Sequence, residues 1–232
     1  MMTALFPQLA RLLGLLLGLG WIPLLQAQTA PLRSDPEQGR PPTRTWTMRD
    51  YAAFSQNWAV RTDAEGRLYF GNRDGVLTYD GKAWKLLPMP GVFIRGIGFD
   101  PMGRLYAAGI DELGYFERNR LGEWGPYVSL LPHLPPESRT MGDIRQLYVL
   151  PDGVYFSAAK HTFRWRDGAF KVWHHDGEAN TYAFLVDQRV HLHRHGEALL
   201  AVDGDAVVPV LDHPAIREQR LAAVARLGPD QL

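Results

Sequence analysis

Two adjacent carboxylates, Asp111 and Glu112, and a run of histidines are the residues of this sequence best equipped for chemistry. Two carboxyl groups held about 5 to 10 Å apart across a cleft can cleave a glycosidic bond, one as acid and the other as base or nucleophile. Six of the eight histidines lie between positions 161 and 195, and His191, His193 and His195 alternate. On a strand, alternation puts three imidazoles on one face, as metal ligands sometimes are. Arg194 beside them and the lack of a carboxylate on the same strand argue against that use. The strand is therefore read as half-exposed, His174-His175 as a surface loop, and no metal or other cofactor is assigned. The absence of cysteine removes disulfides, thiolate nucleophiles and thiolate metal sites together. The sequence also has no phosphate-cradling glycine loop, no G-x-S-x-G elbow and no H-E-x-x-H.

The elements that must position these groups are short strands. Residues 58–84 read as four of them, at 58–62, 67–71, 76–79 and from 82 to 87, separated by Asp63-Ala64-Glu65-Gly66, by 72–75 and by Asp80-Gly81. Four antiparallel strands in about thirty residues cannot bury both faces of their sheet alone. Copies follow. Asp100-Pro101-Met102-Gly103-Arg104-Leu105-Tyr106 repeats Asp63-Ala64-Glu65-Gly66-Arg67-Leu68-Tyr69, and weaker copies lie at 150–156, 186–191 and 227–232. With Leu68, Leu105, Val154, Val190 and Leu232 as equivalent points, the spacings are 37, 49, 36 and 42 residues. A period of about 40 to 50 residues with four strands per unit is that of β-propeller blades. The fold class expected is all-β, a propeller of four complete four-stranded blades at about 54–91, 92–141, 142–177 and 178–219, with a fifth opening at 220–232. The chain is expected to be a fragment of a longer protein. Trp84, Trp124, Trp165 and Trp173 are expected to pack between blades.

In such an architecture the loops between second and third strands join those between blades to form one rim around a central channel. That places Asn72, Arg73 and Asp74 of blade one, Asp111 and Glu112 of blade two, and Lys160 and His161 of blade three on the rim. Polar groups converging on a concave rim are candidates for binding a ligand, and a solvated loop is the alternative. No catalytic residue is assigned. The Asp-x-x-Gly turns lack the dense acidic spacing of a calcium loop. The loop at 130–137, Leu-Leu-Pro-His-Leu-Pro-Pro-Glu, lengthens blade two and is a second candidate contact surface.

The balance of 25 basic and 25 acidic residues in 232 argues against a nucleic-acid surface. An apolar run at 12–25, preceded by Arg11 and followed by Gln26-Ala27-Gln28-Thr29-Ala30, reads as a signal peptide over 1–27 cut after Ala27, with an uncleaved anchor as the alternative. Residues 28–53 read as a proline-rich linker and a lead-in strand near Trp46, and 215–226 is helix-like with its second half assigned to a strand. The expected location is the periplasm.

The stretch N-W-A-V-R-T-D-A-E-G-R-L-Y-F-G-N-R-D-G-V-L-T-Y-D-G-K-A-W, from Asn57 to Trp84, resembles the opening blade of the bacterial two-component regulator propeller family, and G-R-L-Y-A-A-G-I-D-E-L-G-Y-F-E is similar to its second blade. The resemblance covers about 46–173. It implies an exported sensor propeller, followed in the longer protein by a β-sandwich, a transmembrane helix and a kinase, cyclase or DNA-binding output. It carries no catalytic residues. The partners implied are a small-molecule or glycan ligand, the remainder of the receptor chain and a second receptor copy. An exported propeller enzyme, a lyase or glycoside hydrolase using Asp111, Glu112 and histidines, is the alternative, and a scaffold propeller a third.

Overall fold

A computed structural model describes residues 43–91, 93–175, 180–225 and 228. Each repeat in it is a four-stranded antiparallel meander, and the four sheets keep chain order. Blade one is β1 (Asn57–Thr62), β2 (Leu68–Asn72), β3 (Gly75–Tyr79) and β4 (Trp84–Leu87). Blade two is β5 (Gly96–Phe99), β6 (Leu105–Gly109), β7 (Glu112–Phe116) and β8 (Val128–Ser129). Blade three is β9 (Ile144–Leu150), β10 (Gly153–Ala158), β11 (His161–Arg166) and β12 (Ala169–His174). Blade four is β13 (Tyr182–Val186), β14 (Arg189–His193), β15 (Leu199–Asp203) and β16 (Ala206–Leu211). The first strands β1, β5 and β9 lie side by side, so they are the inner strands, and β13 approaches β10. The protein is an all-β propeller.

The repeated Asp-x-x-Gly-Arg turn has a local cause. The Asp63 carboxylate accepts the backbone N–H of Glu65 at 3.1 Å and of Arg67 at 2.9 Å, while the Gly66 N–H returns to the Asp63 carbonyl. Asp100 accepts from Met102 and Arg104, both at 2.9 Å, in the second copy. These acids close Asx turns and need no cation to do so. Blade four turns on Asp187 and Gln188, both left-handed at φ 48° and 59°, so the worn motif keeps the tight hairpin geometry without glycine.

Period-two alternation makes the stack of blades. In β6 all five residues are buried. Leu105 and Ala107 enter the core against blade one, whereas Tyr106 and Ala108 enter the core against blade three. In β10, Val154, Phe156 and Ala158 face blade two and Tyr155 faces blade four. Full burial of a side chain such as Phe156 or Phe163 is worth about 1.5 to 3 kcal/mol. Trp124, Trp165 and Trp173 join these interblade cores. Trp84 does not: it packs beside Trp46, Tyr51, Phe70 and Tyr79 under the short helix α1 (Met48–Tyr51).

Several expectations need correction. The lead-in segment at Trp46 is no strand. The Asp50 carboxylate accepts the Thr47 N–H at 2.6 Å and so closes α1, while Trp46 meets Tyr79 edge to face. Residues 122–128 read from sequence as the fourth strand of blade two; the strand is Val128–Ser129 instead, because the Asn119 side chain captures the N–H groups of Leu121 and Glu123 and folds 118–124 into its own hairpin. The 130–137 loop is anchored from within, while Pro132, His133, Pro135, Pro136 and Glu137 stay exposed. Leu130 and Leu134 are each 2 % exposed in the core between blades two and three. The helix-like piece shortens to α2 (Pro214–Arg217), and 218–225 carries no strand. The signal segment, residues 28–42 of the linker and the anchor of the fifth repeat at Leu232 lie outside the described residues. Among the described residues no helix is long and apolar enough to cross a membrane.

Candidate functional site

The inner strands start at the end of the blades that carries the expected rim loops. Asn57 pairs with Asn72, and Gly96 with Ala108 one residue before the β6–β7 turn. Placement at the right end does not make these residues a site. Asn72 is fully buried: its amide nitrogen lies 2.6 Å from the Phe54 carbonyl, 2.8 Å from Asn57 Oδ1 and 3.1 Å from the Gln56 carbonyl. It clamps the lead-in to blade one. Asp74 accepts the Phe54 N–H at 3.0 Å, and Arg73 is exposed with its guanidinium 4.6 Å from the Phe54 ring centre.

Asp111 and Glu112 do not share a loop. Asp111 sits alone in the turn at φ 51° and accepts the Gly142 N–H at 2.6 Å, tying blade two to the segment entering blade three. Glu112 opens β7 and is buried. Its Oε1 accepts Ser129 Oγ–H at 2.7 Å, its neighbour Leu113 N–H at 3.1 Å and the Tyr127 hydroxyl at 3.3 Å. Burial, and then the Glu112 carboxylate, push the Tyr127 hydroxyl far up, so it stays a donor. The Glu112 carboxylate fastens the outer strand of blade two.

Lys160 is half-buried, and its carbonyl accepts the His175 N–H. His161 stacks on Phe163 and meets His174 edge on at 5.0 Å, and burial followed by the His174 charge lowers its pKa. His175 Nε2 lies 2.9 Å from the Thr162 hydroxyl, so only His174 of the pair is exposed. The alternating histidines also differ from the half-exposed strand expected of them. His191 and His193 are buried, His193 Nε2 bonds the Ile216 carbonyl at 3.0 Å, and burial lowers its pKa. Among the described residues no group of three His, Asp or Glu is arranged to hold a metal.

The groups that do converge are arginines. A cavity of about 780 Å³ at the channel mouth is lined by Trp58 of β1, Arg95 before β5, Arg145 and Gln146 of β9, Tyr182 of β13 and the segment 220–222. None of the seven expected rim residues lines it. Asp143 joins two of the arginines, with Arg95 Nε 3.3 Å from one carboxylate oxygen and Arg145 Nε 3.2 Å from the other. The Arg95 guanidinium lies 5.4 Å from the Trp58 ring centre, and those of Arg145 and Arg220 lie 5.8 and 4.7 Å from that of Tyr182. Arginine stays protonated at any physiological pH, and stacking on an aromatic face fixes its plane while leaving edge N–H groups free to donate.

A signal for this site was present in the repeats. Thr62, Phe99 and Val149 pair with the anchor residues Leu68, Leu105 and Val154, and Trp58, Arg95 and Arg145 each stand four residues before them. The same register position thus points into the channel in three blades.

No protein-family model matches this sequence, and neither does any curated protein. Among solved structures the fold is similar to virginiamycin B lyase from Staphylococcus aureus, with TM-score 0.50 and 11 % identity over 66 % of this chain and 54 % of the lyase. It is similar to a streptogramin B lyase at TM-score 0.51 and 11 % identity, over 73 % of this chain and 58 % of that one. The extracellular domain of a putative hybrid two-component system from B. thetaiotaomicron matches with TM-score 0.47 and 15 % identity over 68 % of this chain and 22 % of that domain. The chain spans little more than half the length of either lyase, and at these identities the likeness is one of fold.

Proposed function

We propose that this chain is the exported, ligand-sensing propeller portion of a bacterial transmembrane receptor, with the ligand seated in the arginine-lined mouth of the channel. The observation that carries the reading is that Trp58, Arg95, Arg145 and Tyr182 come from four different blades yet line one cavity. A ligand held by several blades favours one arrangement of them over others, and such a differential affinity is what a sensor transmits. The sequence resemblance to two-component regulator propellers over 46–173 supplies the receptor context. The output expected in the longer protein is a histidine kinase, a diguanylate cyclase or a DNA-binding module. The region itself is read as non-catalytic, because Asp111 and Glu112 are both engaged in fastening blade two.

The test is a topology and output experiment on the full receptor. Alkaline phosphatase fused after residue 225 should be active only when 1–27 is present, and Trp58→Ala in the intact receptor should abolish its ligand-dependent output. Phosphatase that stays inactive, with an equivalent β-galactosidase fusion active in the cytoplasm, would overturn the receptor reading.

A further inference from the structure

We infer that the channel mouth takes a small organic dianion, a molecule carrying two carboxylate, sulfate or phosphate charges; this rests on the mouth being the ligand site. The cavity lining holds Arg95, Arg145 and Arg220, and the carboxylate of Asp143 contacts Arg95 and Arg145. Three guanidiniums against one carboxylate leave two positive charges in excess at this place, in a chain whose formal charges balance as a whole. Asp143 is shared between two of the three guanidiniums. Arg95 Nε and Asp143 Oδ1 lie 3.3 Å apart, but neither atom has a hydrogen bond, although both are buried. The pair is held by charge, and the Arg95 guanidinium keeps further N–H groups that a ligand oxygen can take.

The positioning is prearranged for an oxyanion. Trp58 holds Arg95 by its ring face, and Tyr182 serves Arg145 and Arg220 in the same way. The Arg145 NH1 group also donates to the Tyr182 hydroxyl at 3.4 Å. Guanidinium edges match the planar geometry of carboxylate and the oxygens of sulfate or phosphate, where a lysine would offer only a point charge. A volume of about 780 Å³ suits a small molecule and not a polymer segment. Because the three arginines come from different repeats, a dianion is better matched than a monoanion: each charge can meet a guanidinium of its own.

The experiment is calorimetric titration of the full chain with glucarate, with glucitol (the same carbon skeleton without charge) and with inorganic sulfate, at 50 and 300 mM chloride. Glucarate should bind and glucitol should not, with affinity falling at the higher salt. Arg145→Gln should weaken glucarate at least tenfold and Arg220→Gln at least fivefold. Arg166→Gln, at an exposed arginine of β11, should change nothing. Arg220 is itself exposed, so its variant tests the site even where Arg145→Gln disturbs packing. Displacement of glucarate by sulfate would show that an inorganic oxyanion suffices, and its persistence would show that the carbon skeleton contributes. Either supports a dianion site. Equal binding of glucitol, or arginine variants that bind like the parent, would overturn the inference while leaving a neutral ligand at the mouth, which Trp58→Ala would still abolish. Failure of both anions to bind would overturn it outright. The topology experiment above fails independently of all of these.

Discussion

The Nε of Arg95 and Oδ1 of Asp143 lie 3.3 Å apart without a hydrogen bond, while the other Asp143 oxygen receives Arg145 Nε at 3.2 Å. One carboxylate therefore holds guanidinium groups from two blades and is fully used by neither.

Replacing it should sharpen the site for anions. Asp143→Asn keeps the shape but removes the one negative charge in contact with the arginines. The expected result is glucarate binding that tightens three- to tenfold, about 0.7 to 1.4 kcal/mol, with a steeper salt dependence. Weaker binding by titration would mean that the charge of Asp143 is needed to aim the arginines.

Glu112 provides the opposite case, a carboxylate whose role is structural. Removing it strands the Ser129 and Tyr127 hydroxyls beside a buried strand end. Glu112→Ala should lose about 2 to 3 kcal/mol of unfolding free energy in urea, and Glu112→Gln, which keeps an acceptor, about half as much. Ligand binding by the folded variants should be unchanged. An activity lost in Glu112→Gln with stability intact would restore a catalytic reading.

The turn acid Asp63 should show in the pH dependence of stability. Its side chain is 8 % exposed, and burial alone would raise its pKa. Hydrogen bonds from the Arg67 guanidinium at 2.6 Å, the Tyr69 hydroxyl at 2.8 Å and the Arg67 backbone outweigh that and hold it below the ordinary value. A depressed folded-state pKa stabilises the fold fully above the unfolded pKa of about 4 and ceases to do so as pH falls through the folded value. Asp63→Asn should therefore flatten stability against pH below about pH 4, followed by urea unfolding. An unchanged slope would contradict the assignment.

Gly96 should prove indispensable to the inner strands. A Cβ there would lie 2.6 Å from the Leu147 Cβ, so β5 sits against β9 only because that position is bare. Gly96→Ala should cost about 1 to 3 kcal/mol, and adding Leu147→Gly, which removes the Cβ that is met, should cost less than the two single losses together. Additive losses would mean that the contact is not the cause.

The blades were legible because every local signal agreed. Asp63 and Asp100 close their turns in the same way, and alternation in 105–109 divides that strand between two cores. Blade two misled where a single side chain decided. Asn119 makes a hairpin of its own out of residues that propensity assigns to the outer strand. Four of the rim residues, Asn72, Asp74, Asp111 and Glu112, hold neighbouring parts of the fold together. Asn72 and Glu112 are polar because they fasten neighbouring backbone and hydroxyl groups, and a sequence does not distinguish a buried acceptor from a ligand contact. The arginines were passed over for the reverse reason. Arg95, Arg145 and Arg220 look like ordinary surface charges until the register of three blades brings them to one mouth.

The most direct test of the channel-mouth site is arginine side-chain and indole NMR on isotope-labelled protein titrated with glucarate. The account predicts that the Nε–H signals of Arg95, Arg145 and Arg220 and the indole N–H of Trp58 move together and saturate, while Arg73, Lys160 and His161 on the outer rim stay still. Signals that move at the rim loops and not at the four channel residues would contradict it.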